Sequence, residues 1–176
     1  MKENSLYSAK KPLRILFVCH GNICRSAMAE YLMKDMVSRS GEERAFYIES
    51  AATSTEELGC PVYPPARRIL TQHGIDCRGH HARQIVRADY GRFDLLIGMD
   101  YANIRNMERA FGGDPEKKIH LLSEYGHFQG EVEDPWYTGN FEKVFEEIED
   151  GLRGILDNAR TDRSFGPDRS EAGDEK

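Results

Sequence analysis

Apolar positions along the chain fall into two periods. The run LRILFVC (13–19) is short, continuous and β-rich, the pattern of a strand buried on both faces. After a polar loop, AMAEYLMKDMV (27–37) places Ala29, Leu32, Met33, Met36 and Val37 at helical spacing. FYIESA (46–51), FDLLIGM (93–99) and KIHLL (118–122) predict further strands. PPARRILTQHG (64–74) and YANIRNMERAFGG (101–113) predict helices between them, the second closed by glycine. The clearest helix is the last, Phe141 to Ala159, with Phe141, Val144, Phe145, Ile148, Leu152, Ile155 and Leu156 on one face. Strands alternating with helices predict an α/β domain in three layers, a parallel sheet covered on both faces. Such sheets bind ligands at the carboxyl ends of their strands, above all where the strand order reverses. The loop after the first strand is therefore the first candidate site.

Length and charge narrow the setting. The 176 residues suit one domain with a real core, placed at 13–159, with a leader (1–12) and a polar tail (160–176) expected to be disordered. The net charge is −6, yet residues 1–140 hold 18 basic and 19 acidic side chains, so the acidity is concentrated in 141–176. That balance argues against a nucleic-acid binder and offers no polybasic membrane patch. No apolar stretch approaches a membrane span and Met1 to Leu13 is too polar for a signal peptide, so a cytoplasmic monomer is expected. The cysteines at 19, 24, 60 and 77 contain no C-x-x-C pair, and Cys77 with His80 and His81 lacks a second ligand pair. Neither a disulfide framework nor a metal site is expected, and no cofactor is implied.

The first loop, CHGNICRS (19–26), carries the chemistry. Gly21 and Asn22 are residues that turn a backbone through positive φ and aim successive amides inward, forming an anion-binding nest. Ser26 opens a helix whose N-terminal dipole favours an anion, and Arg25 adds a planar charged fork matched to phosphate oxygens. Cys19, at the strand end, lies in the same positive surroundings, which favour thiolate over thiol. A nucleophile and a phosphate cradle in one loop predict attack of Cys19 on phosphorus, with Arg25 and the loop amides of residues 20–25 (His20, Gly21, Asn22, Ile23, Cys24, Arg25) holding the equatorial oxygens. On spacing alone, a cysteine and an arginine with five residues between them also fit buried packing; the strand before the cysteine and the helix start after the arginine favour the reactive reading.

VCHGNICRSAMAE (18–30) resembles the signature of the low-molecular-weight protein tyrosine phosphatases. ESAATS (49–54), HGIDCRGHHARQI (73–85), FDLLIGMD (93–100) and EDPWYTGNFE (133–142) match further family segments in order, over about residues 13–158. The resemblance implies a four-stranded parallel sheet between helices and metal-free hydrolysis of phosphotyrosine in protein substrates. It implies Cys19 as nucleophile, Arg25 as phosphate clamp, Asn22 as the residue holding the loop backbone, and Ser26 as the hydroxyl bonded to the thiolate. Ser50 and His80 are implied to brace Asn22, although a strand-end hydroxyl and a satisfied loop histidine are simpler roles for them. Asp134 is implied as general acid and base; the reaction needs one, because a phenolate leaving group requires a proton. As an Asp-Pro step, Asp134 also fits a plain turn. Trp136 and Tyr137, on a polar loop, suit walls stacking against an aromatic ring.

Departures from the family pattern shape the remaining expectations. Glu56 stands where many members carry an aromatic residue, so one side of the substrate pocket is expected to be less apolar and a preference for acidic phosphopeptides weaker. Ile23 differs from the threonine of the phosphoarginine-specific branch, which favours phosphotyrosine. Cys24 is either a small buried hydrophobe or, as the resemblance implies, a redox partner forming a reversible disulfide with the nucleophile. Two other functions share such a loop. Thiol-dependent arsenate reductases need a further closely spaced cysteine pair, whereas Cys60 and Cys77 are far apart; a catalytically silent phosphate-binding module would be expected to lose Cys19, Arg25 or Asp134, and all three are present.

Overall fold

A computed structural model describes residues 11–162. Four parallel strands, β1 (Leu13–Cys19), β2 (Phe46–Ala52), β3 (Leu95–Gly98) and β4 (Ile119–Leu121), form one sheet in the order β2-β1-β3-β4. The helices are α1 (Arg25–Arg39), α2 (Pro64–Gln72), α3 (Asp89–Arg92), α4 (Tyr101–Phe111), α5 (Pro135–Thr138) and α6 (Phe141–Thr161). The three-layer, four-stranded reading from the sequence therefore holds.

The alternation of β1 sorts the two cores. Leu13, Ile15, Phe17 and Cys19 face the layer formed by α1, α2 and α6, while Leu16 and Val18 face Phe93 and the α4 residues Met107 and Phe111. Cys19 thus ends the strand on the α1 side. From β1 the chain crosses through α1 to β2 on one flank and later returns to β3 on the other, so the strand order reverses at the carboxyl end of β1. The loop 20–24 sits in that crevice.

On the far flank, Gly98 lets α4 approach β3 closely: a Cβ there would lie 2.9 Å from Ile104 Cδ1 and 3.2 Å from Asn103 Cβ. The approach is fixed by a reciprocal capping box, in which Asp100 accepts from the Asn103 amide at 2.8 Å and Asn103 Oδ1 accepts from the Asp100 amide at 3.1 Å. Two short helices, α3 and α5, were not evident from periodicity because four residues are too few to show one. The expected disorder of the leader and tail concerns residues that lie almost entirely outside those described. Where the two overlap, Arg160 and Thr161 complete the last turn of α6 instead of starting a tail, and Arg160 reaches Glu42 at 2.6 Å. No helix among the described residues is long and apolar enough to cross a membrane.

Candidate active site

Cys19 Sγ lies 3.0 Å from Ser26 Oγ and 3.3 Å from the Asn22 amide nitrogen. The direction of these bonds follows from the donors available. The Asn22 amide nitrogen Nδ2 donates to Ser26 Oγ at 2.9 Å and to Ser50 Oγ at 2.8 Å, which uses both of its protons. The Ser26 hydroxyl proton is then free to point at sulfur. Ser50 in turn donates to Glu30 Oε1 at 2.7 Å, and Lys34 closes the chain on Glu30 Oε2 at 2.7 Å. A buried relay therefore runs from a charged pair on α1, through β2, to the sulfur at the end of β1.

Asn22 is the keystone of the loop. Its φ of 59° lies in the left-handed region, and its side chain is fully buried. Its carbonyl accepts from His80 Nε2 at 2.7 Å and its Oδ1 accepts from the Arg83 amide at 3.2 Å. Gly21 departs from expectation, because only Asn22 of the pair has positive φ. An added Cβ at Gly21 would meet Glu57 Cγ at 3.4 Å, so the glycine gives room beside the 53–59 loop, not a left-handed turn. Helix α1 begins one residue earlier than expected, at Arg25, and its cap residue Cys24 supplies no side-chain acceptor, leaving the amides of the first turn to an anion.

Arg25 is almost wholly buried and is gripped from the opposite side of the crevice. Its Nη1 donates to Asp100 Oδ2 at 2.7 Å and to the Val132 carbonyl at 3.0 Å, and Nη2 lies 3.4 Å from Asp134 Oδ2. Burial works against its charge, but Cys19, Asp100 and Asp134 around it raise the guanidinium pKa above its ordinary value. Asp134 uses its other oxygen to cap α5, accepting from the Trp136 amide at 3.1 Å. One oxygen holds the turn and the other faces the arginine, so the Asp-Pro step is a turn starter and part of the cluster at once.

The walls of the crevice are aromatic on one bank. Trp136 is half exposed with its ring 4.8 Å from Tyr63, which lies 6.0 Å from Phe141; Tyr137 is 85 % exposed. Tyr63 was not foreseen, although its position just before two prolines marks it as the rigid entry to α2, and its amide donates to the Ile23 carbonyl at 2.9 Å. Glu56 stands on the other bank and pairs with His20 Nε2 at 2.9 Å, both side chains being exposed. Ile23, Cys24 and Ala82 make a small apolar cluster under the loop, with Cys60 against it. Burial, aided by Cys19 and Asp134, pushes the Cys24 thiol far up, which keeps it protonated. Burial lowers the pKa of His80, so the ring is neutral with its proton on Nε2. Asp100, Glu30 and Arg83 were likewise unassigned in the sequence; the first two lie inside FDLLIGMD and the helix of the loop signature, where contact partners cannot be read. Among the described residues, no three of His, Cys, Asp and Glu come together as ligands for a metal ion.

Residues 14–164 match the family model described as low molecular weight phosphotyrosine protein phosphatase. The chain is 35% identical over 155 residues to the low molecular weight protein-tyrosine-phosphatase YfkJ of Bacillus subtilis, covering 87% of this chain and 99% of the relative. It is 40% identical over 138 residues to the low molecular weight phosphotyrosine protein phosphatase of Gallus gallus, covering 76% and 87%. The crystal structure of YfkJ superposes with a TM-score of 0.83 at 34% identity, over 86% of this chain and 97% of that one. DARP, the drosophila arginine phosphatase, superposes with a TM-score of 0.77 at 27% identity, over 85% and 99%. With the loop, the fold and the whole body in agreement, the chain belongs to the low-molecular-weight phosphotyrosine protein phosphatase family.

Proposed function

We propose that the protein hydrolyses phosphotyrosine, in protein substrates and small aryl phosphates, through a phosphocysteine intermediate. One observation carries the reading: two distant segments, the loop that holds both Cys19 and Arg25 and the loop that holds Asp134, meet at one crevice, with Asp134 Oδ2 3.4 Å from the arginine. Cys19 sulfur attacks phosphorus while Arg25 and the loop amides hold the equatorial oxygens. The P–O bond to the phenol breaks, and Asp134 gives its proton to the leaving oxygen. Asp134, now a carboxylate, takes a proton from water, which attacks the phosphocysteine. Phosphate leaves, and the sulfur returns as thiolate with Ser26 and the Asn22 amide donating to it.

Trp136, with Tyr63 behind it, supplies a flat wall for an aromatic ring, which supports phosphotyrosine over phosphoarginine as substrate. The test is hydrolysis of matched phosphotyrosine and phosphoarginine peptides and of an aryl phosphate, with vanadate and a chelator as controls. Faster release from phosphotyrosine, inhibition by vanadate and indifference to chelator are expected. Preference for phosphoarginine, or activity lost to the chelator, would contradict the reading.

A further inference from the structure

The side-chain amide of Asn22 is held at both ends, by Ser50 Oγ on Nδ2 at 2.8 Å and by the Arg83 amide on Oδ1 at 3.2 Å. These two holders come from different elements. Ser50 lies in β2, and Arg83 lies in the segment that docks beside the end of β2, where the Ala52 amide donates to the Arg83 carbonyl at 2.7 Å. One side chain spans both. The Arg83 guanidinium donates through Nη2 to Glu49 Oε2 at 3.0 Å, the residue next to Ser50, and through Nη1 to Asp89 Oδ2 at 3.0 Å.

Asp89 is the fixed point. Its carboxylate is fully buried at the start of α3 and accepts from both Arg83 Nη atoms, from the Val86 amide at 2.8 Å and from Arg92 Nη1 at 3.3 Å. A buried ion pair is seldom a net gain in stability over apolar packing of the same shape, whereas its directional bonds fix geometry. Here that geometry is the separation between the two groups gripping Asn22. We infer that the Glu49–Arg83–Asp89 strut consists of positioning residues, which hold the Asn22 amide and through it the loop around Cys19.

The inference rests on the proposed phosphatase chemistry for its kinetic readout, and on Asn22 itself for an independent one. Arg83→Met removes the strut but keeps the Arg83 backbone amide; Glu49→Gln removes one charged arm from a partly exposed side chain. In both, the side-chain NH2 resonances of Asn22 are expected to shift. The kcat for an aryl phosphate and the affinity for vanadate are expected to fall together, by roughly tenfold in Arg83→Met and less in Glu49→Gln, while KM changes little. Arg153→Gln, which breaks a remote surface pair with Glu149, serves as control and should alter none of these. Folded variants with parental Asn22 resonances, kcat and vanadate affinity would overturn the inference, even if their melting temperature fell. If Arg83→Met fails to fold, Glu49→Gln decides by the same measurements. An inactive parent would refute the phosphatase reading alone, and the Asn22 resonances would still judge the strut.

Discussion

Asn22 joins more of the site than any other side chain, because one residue supplies a left-handed turn, an amide aimed at sulfur and three side-chain bonds. Asn22→Gly keeps the backbone conformation accessible but leaves Ser26, Ser50 and the Arg83 amide without their partner. Its kcat is expected to fall by about a hundredfold, and Asn22→Ala, which adds backbone strain, should be less stable than Asn22→Gly in a thermal melt. Equal melting temperatures would remove strain from the account. His80 gives the pH dependence. Its pKa is depressed by burial below the ordinary 6.5, so the neutral ring stabilises the fold above that value, and the stability is lost as pH falls through the folded-state pKa. Imidazole nitrogen shifts should show an Nε2–H tautomer at pH 7 and a midpoint below 6.5; a higher midpoint would contradict the assignment. Cys24, protonated in its apolar cluster, should resist alkylation by iodoacetate while Cys19 is modified.

At the scale of elements, the strand and helix periods were legible wherever a segment ran long enough to repeat. β1 and α6 show this, because a seven-residue strand apolar at every position but Arg14 and a long helical stripe admit few other folds. Elements of four residues, α3 and α5, carry no period; Asp134 caps α5 through the Trp136 amide, whereas Asp89, the first residue of α3, holds the Val86 amide in the turn before it. Asp100, Arg83 and Glu30 were invisible as partners of Arg25, Asn22 and Ser50 respectively, because each pair is close in space but separated along the chain, by 75, 61 and 20 residues. The loop was readable because its chemistry is contiguous. Close approach also sets α6 against the turn after β4, where a Cβ on Gly154 would lie 1.8 Å from the Tyr125 carbonyl oxygen. Gly154→Ala is therefore expected to destabilise the fold by about 3 kcal/mol, measured by denaturant unfolding, despite the better helix propensity of alanine. A neutral or stabilising result would mean that this turn yields freely.

Over the whole molecule, the sheet does one job for the site: it brings the end of β1, the 80–85 segment and the loop before α5 to the strand-order reversal. The net charge of −6 says little about this place, since the acidity lies mostly along 141–176, whereas the site itself sets the Arg25 guanidinium and the first amides of α1 beside Asp100 and Asp134. The central claim is that phosphate passes through Cys19. Its direct measurement is mass spectrometry of the Asp134→Ala enzyme quenched during turnover of p-nitrophenyl phosphate, whose acidic phenol leaves without a proton, so that only hydrolysis of the intermediate is slowed and the intermediate accumulates. The account predicts one phosphoryl group on the peptide containing Cys19, and no turnover in Cys19→Ser. A phosphoryl group on another residue, or hydrolysis that survives Cys19→Ser, would contradict it.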